Sequence, residues 1–203
     1  AQDGRLVGEY WSATPGHQRF TAERNADATL DTSSVAVGMK DPAEKLQFSF
    51  PDLDGQAVSL TDLRFAGKVV IITLAGSWCP NCHDEAALLA ALHREFRAQG
   101  LEIVSLMFEH FGDFAQAAAA TRRYRDRFGI EYATLIAGTS DQDDTASALP
   151  QLRGVFVCPT TVWVDRSGRV RKIHAGFAGP ATGWHHDELV NEFTTFTRGL
   201  LAE

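Results

Sequence analysis

Ser77-Trp78-Cys79-Pro80-Asn81-Cys82 puts a Cys-x-x-Cys pair directly after a β-like run and directly before a helix-like one. The run before it, Lys68-Val69-Val70-Ile71-Ile72-Thr73-Leu74-Ala75, is continuous and β-branched, the pattern of a strand buried on both faces. The run after it sets Leu88, Leu89, Leu92 and Phe96 on one helical stripe. Pro80 suits the first helical turn, where its missing N–H costs nothing. At such a junction, unpaired amides and the positive end of the helix dipole point at the first sulfur. They favour the thiolate, which is the nucleophile. Cys79 is therefore expected to be exposed and reactive, and Cys82, one turn on, to be shielded and to resolve the mixed disulfide. The competing reading of two cysteines, half of a zinc site, needs a second Cys-x-x-Cys or Cys-x-x-His, and the chain has none.

Trp78-Cys79-Pro80-Asn81-Cys82 resembles the W-C-x-x-C centre of the thioredoxin superfamily. The stretch from Phe48-Ser49-Phe50-Pro51-Asp52 through Gly55-Gln56, Ser59-Leu60-Thr61-Asp62-Leu63 and Gly67-Lys68 is similar to the TlpA/ResA-like branch. Cys158-Pro159-Thr160-Thr161, followed by Val162-Trp163-Val164-Asp165 and Gly168, resembles that branch's cis-proline loop and next strand. The resemblance covers residues 46–203 and implies a thioredoxin-like α/β fold, a central mixed sheet flanked by helices. It implies a redox-active Cys79–Cys82 disulfide, disulfide-containing protein substrates, an upstream dithiol donor and an extracytoplasmic, periplasmic location. No cofactor and no resident metal are expected. Protein-disulfide reduction is the activity implied, with a copper or other soft-metal chaperone on the same fold as the alternative. A peroxidase of peroxiredoxin type is a third class, but the lone cysteine its motif requires is not what this motif supplies.

Composition sets wider bounds. Of 203 residues, 44% are hydrophobic and 22% charged, as expected for a globular chain with a substantial core. No apolar run approaches the roughly 20 residues a membrane helix needs. The net charge of −7 argues against a nucleic-acid partner. Residues 1–45 lie outside the resemblance. Arg5–Trp11 and Gln18–Arg24 read as a hairpin around Ser12-Ala13-Thr14-Pro15-Gly16, and Asn25–Pro42 as a polar linker. This segment is either an N-terminal extension or the end of a preceding domain. Ala1-Gln2-Asp3 is either a mature end left by signal cleavage or simply an arbitrary boundary.

Beyond the motif, Leu46–Phe50 and Ala57–Leu60 should pair as a hairpin. Helices are expected at Pro80–Gln99, Asp113–Phe128 and His185–Leu201, with a short one at Asp141–Leu149. Strands are expected at Leu101–Phe108, Tyr132–Ala137, Val162–Val164 and Val170–His174.

Several side chains carry open alternatives. Glu85 matches an acidic residue of the TlpA/ResA-like branch and is either a proton acceptor for Cys82 or an exposed charge complementing the helix dipole. Thr73 stands where thioredoxin itself has a buried Asp. Cys158 is either a small apolar filler or a third redox or metal-binding thiol, with His83 completing a soft-metal set. Trp78, Pro80, Cys158 and Pro159 are expected to shape partner docking. Glu109, His110 and Phe111 read as a solvated loop or as part of the partner groove. His185 and His186 point about 100° apart on a helix, which does not suit a shared metal. The glycine-rich run Gly176–Gly183 is either an anion cradle or a connector on the active-site side.

Overall fold

The computed structural model describes residues 5–12, 16–27, 37–154 and 157–203. They fall into two compact units, residues 1–34 and 35–203. The first is a hairpin of β1 (Arg5–Ser12) and β2 (Gly16–Glu23), paired antiparallel from Arg5↔Glu23 to Ser12↔Gly16. The tip of its expected turn, residues 13–15, lies outside the described residues. Arg5–Glu23 at 2.7 Å and Arg19–Glu9 at 3.1 Å cross the hairpin. Both are solvent-exposed, so each contributes at most about 1 kcal/mol.

The second unit begins with β3 (Gly38–Met39), which pairs with β9 (Leu152–Arg153). The stretch read from composition as a linker therefore holds a short strand, because its partner arrives from far along the chain. β4 (Ser49–Pro51) and β5 (Ala57–Ser59) form the expected hairpin. The remaining elements run β6 (Val69–Ala75), α1 (Pro80–Phe96), β7 (Leu101–Glu109), α2 (Phe114–Phe128), β8 (Ala133–Thr139), α3 (Gln142–Ala148), β10 (Thr160–Val164), β11 (Val170–Ala175) and α4 (Trp184–Ala202). Local chemistry explains the boundaries. Gly100 and Gly129 close helical segments in the left-handed conformation, and the Asp113 carboxylate caps α2 by accepting the Gln116 amide.

The central sheet has the order β11-β10-β6-β7-β8. β6, β7 and β8 are parallel, while β10 runs antiparallel to β6 and to β11. This is a mixed sheet of thioredoxin-like architecture. Alternation along β6 divides the core in two. Val69, Ile71 and Ala75 join Leu89 and Phe96 of α1, Tyr124 of α2 and Phe193 of α4. Val70, Ile72 and Leu74 join Leu46, Phe48, Val58 and Leu149 on the opposite face. Every residue of β6 is buried, as its unbroken apolar run required. The strand ends at Ala75, and five residues later α1 begins at Pro80, inside the motif.

Candidate active site

Cys79 is the N-cap of α1. Its backbone is extended, with φ −91° and ψ 117°, and Pro80 occupies the first turn. Its carbonyl accepts the amides of Cys82 at 3.1 Å and His83 at 3.2 Å. The cap position is where a Ser or Asp oxygen ordinarily accepts helix amides, and here a sulfur takes that place. The Cys79 thiol is lowered from 9.0 to about 6, first by its hydrogen bond with the Cys82 thiol, then by the amides of Cys82 and Asn81 and the nearby His83; burial opposes the shift. Cys82 is fully buried and its thiol is pushed strongly up, first by contact with the Cys158 thiol, then by Cys79 and by burial. The two motif cysteines thus differ in proton affinity, low at Cys79 and high at Cys82. Both are free thiols in this structure.

The expected exposure of Cys79 needs correcting: the residue is 5% exposed. The cover comes from the loop that precedes β10. The Cys79 thiol donates to the Cys158 carbonyl at 3.3 Å, and the Cys158–Pro159 peptide is cis. Cys158 is half-buried against the cluster that holds Cys79, Cys82, Leu89 and Phe177. The structure therefore brings all three cysteines together, and the sulfur at 79 sits recessed beneath a loop.

Glu85 is 1% exposed, which overturns the reading of a solvated helix charge. It lies one turn beyond Cys82 on the sheet-facing side of α1. Thr73 donates to its Oε2 at 2.6 Å, and Thr161 donates to its Oε1. Thr73 and Thr161 are directly opposite each other in the β6–β10 pair, so strand register sets both hydroxyls beneath one carboxylate. Burial pushes Glu85 up from 4.5 to about 7; the two threonine hydrogen bonds hold it down in part, and the Cys79 charge adds to the rise. A carboxyl so placed gains and loses its proton near neutrality.

The turn before Cys79 is held by a residue whose role the sequence did not disclose. Glu109, at the end of β7, is 1% exposed rather than part of a solvated loop. Its carboxylate accepts the Ser77 amide at 3.0 Å, the Ser77 hydroxyl at 2.7 Å and the Thr121 hydroxyl at 3.2 Å. Trp78 is 40% exposed; its indole N–H donates to the Phe108 carbonyl at 2.8 Å, and its ring stacks on His110 at 4.5 Å. A Cβ at residue 76 would collide with that indole and with the Phe108 carbonyl, so the glycine there is a packing requirement. The Nε2–H of His83 donates to the Ser77 carbonyl at 2.7 Å, and the Tyr124 hydroxyl donates to the Cys82 carbonyl at 2.8 Å. Beside this frame lies a groove of about 440 Å³, lined by Trp78, His110, Phe111, Arg123, Arg127 and Phe128.

Other candidates resolve differently. His186 Nδ1 bonds the Ala178 carbonyl at 2.8 Å, while His185 stacks on Trp184. A Cβ at Gly179 would strike the Asp84 carboxylate, so the glycine-rich run packs against an acid on α1, which is unsuited to an anion cradle. Among the described residues, no group of three or more His, Cys, Asp or Glu side chains converges as a metal site. Among the same residues, no helix is long and apolar enough to cross a membrane.

Residues 39–173, more than half of the chain, match the AhpC/TSA family. The chain belongs to that family. Two of its relatives carry the same activity in their names. The thiol-disulfide oxidoreductase ResA of Geobacillus thermodenitrificans (strain NG80-2) is 30% identical over 151 residues, 74% of this chain and 76% of the relative. ResA of Bacillus subtilis (strain 168) is 26% identical over 143 residues, covering 70% and 69%. The crystal structure of a thiol:disulfide interchange protein of the thioredoxin family from Chlorobium tepidum TLS superposes with a TM-score of 0.58. Its identity is 20%, over 81% of this chain and 99% of that one, and it supports the thioredoxin-like fold. This AhpC/TSA member is a thiol–disulfide oxidoreductase.

Proposed function

We propose that the protein reduces disulfides of extracytoplasmic proteins, with Cys79 as nucleophile and Cys82 as resolving thiol. The observation that carries this reading is the Cys79 thiol, lowered to about 6 at the start of α1 and in contact with a protonated Cys82. The Cys79 thiolate attacks one sulfur of a partner disulfide, and the partner's other sulfur leaves as a thiolate. Cys82 then loses its proton, attacks Cys79 Sγ and releases the partner's second thiolate. The products are a dithiol partner and a Cys79–Cys82 disulfide, which an upstream dithiol donor reduces again. Glu85, buried one turn beyond Cys82 and pushed up to about 7, is the group suited to receive the Cys82 proton. The groove beside Trp78, with Pro80, Cys158 and Pro159 around the sulfur, is where an extended partner segment would dock.

The reducing direction is supported by the Cys79 value itself. A thiol near 6 is closer to the ~7 of thioredoxin than to the ~3.5 of the strongly oxidising DsbA type. Equilibration with thiol–disulfide buffers of known potential tests this. A potential nearer about −270 mV than about −120 mV is expected, and one near −120 mV would reverse the direction. Cell fractionation of the native organism's full-length protein tests the location, with a cytosolic result contradicting it.

A further inference from the structure

Cys158 has no part in the two-cysteine cycle, yet a hydrogen bond between its thiol and the Cys82 thiol is the first cause of the upward shift at Cys82. Its carbonyl lies 3.3 Å from Cys79 Sγ, and its side chain packs against the same apolar cluster as both motif cysteines. It is half-buried, whereas Cys82 is fully buried. An inert filler would need none of this proximity to sulfur.

We propose that Cys158 is a third redox thiol of the same site, which exchanges into the Cys79–Cys82 disulfide to give a Cys82–Cys158 disulfide and a free Cys79. The step rests on the cycle proposed above, because it starts from that cycle's oxidised product. The Cys158 thiol loses its proton, and the resulting thiolate attacks Cys82 Sγ. The Cys82–Cys158 bond forms, the Cys79–Cys82 bond breaks, and Cys79 leaves as a thiolate. The number of disulfides is unchanged, so no oxidant or reductant is consumed. The proton released by Cys158 passes to solvent or to the Cys79 sulfur. Cys79 is the favoured leaving group, because the lower the leaving thiol's proton affinity, the faster it departs. The Cys82 thiol, which lowers Cys79 most in the reduced protein, is consumed in the new disulfide, and the amides of Cys82 and Asn81 and the nearby His83 remain to stabilise the leaving thiolate. The oxidised protein then exists as two isomers, one with Cys79 blocked and one with Cys79 still able to react.

Trypsin separates the two. Cys79 and Cys82 share the peptide 69–94, while Cys158 lies on the peptide 154–166. The reduced full chain is equilibrated with glutathione and glutathione disulfide, quenched in acid, alkylated with N-ethylmaleimide, digested and read by mass spectrometry. The expected result is a cross-linked pair of these peptides, with maleimide on Cys79, alongside the disulfide internal to 69–94. An internal disulfide alone, with maleimide always on Cys158, overturns the proposal and leaves the two-cysteine cycle standing. No disulfide at Cys79 or Cys82 under any buffer ratio overturns both. Cys79→Ser isolates the second pair. Glutathione disulfide should convert Cys82 and Cys158 of that variant to the cross-linked form, and separate thiols or separate glutathione adducts would overturn the proposal.

Discussion

Replacing Glu85 with Gln removes a carboxyl that is fully buried beneath α1 and touched by two hydroxyls. The size of the effect follows from its proton affinity. In the unfolded chain the group titrates near 4.5, and in the folded protein near 7. That gap is about 2.5 decades, and at 1.36 kcal/mol per decade it amounts to about 3 kcal/mol. The sign follows from which state holds the proton. Below pH 4.5 both states are protonated and the carboxyl carries no penalty. Between 4.5 and 7 the unfolded chain gives up its proton first, so folding stability falls as pH rises; above 7 both states are ionised and the loss is complete. Gln has no proton to lose. The assay is denaturant unfolding of the disulfide form, in which neither motif thiol titrates. The stability of Glu85→Gln relative to the parent should rise by up to about 3 kcal/mol between pH 4 and pH 8, the disulfide form lacking only the Cys79 charge, the smallest of the causes of the shift. Parallel pH profiles for the two proteins would show that Glu85 titrates as it does in an unfolded chain, and would remove it as an acceptor near neutrality.

Other expectations follow from the same site. The ultraviolet absorbance of the reduced protein should show one thiolate titrating near pH 6, absent in Cys79→Ser, so that about 90% of Cys79 is ionised at pH 7; a first midpoint near 9 would contradict it. The reduction potential should fall by about 59 mV per pH unit below pH 6, where both thiols hold protons. Between 6 and 9, where only Cys82 does, it should fall by about 30 mV; an unbroken 59 mV slope would refute the division of roles. Glu109→Gln forces one of the three donors from Ser77 and Thr121 to lose its acceptor, at about 1–3 kcal/mol, and should slow attack on disulfides while the Cys79 titration stays in place; unchanged stability and rate would dismiss the Ser77 turn as a device that positions Cys79.

What could be read from the chain itself was local. The unbroken β-branched run of β6, the proline after Cys79 and the stripe of α1 are adjacent in sequence, and they placed the dithiol at a strand–helix junction without reference to anything distant. The carbonyl that covers Cys79 comes from 79 residues later, and only the resemblance of Cys158-Pro159 to a cis-proline loop pointed to it; no local pattern around the motif did. Glu109 looked like one more loop charge, since nothing near it in the chain shows that Ser77 and Thr121 turn their donors towards it. Glu85 could be placed on α1, but its burial depended on the register of Thr73 against Thr161, which no single strand reveals. The strand at Gly38–Met39 escaped notice for a related reason, because two residues carry no periodicity and their partner is β9.

Which sulfur attacks decides the mechanism. Cys82→Ser keeps the nucleophile and removes the resolving thiol, so a disulfide-bearing substrate peptide should be arrested as a covalent adduct. Mass spectrometry of the digest should find that adduct on Cys79 within the peptide 69–94. An adduct carried by Cys158, or none while the parent protein still reduces the same peptide, would contradict the assignment of Cys79 as the attacking group.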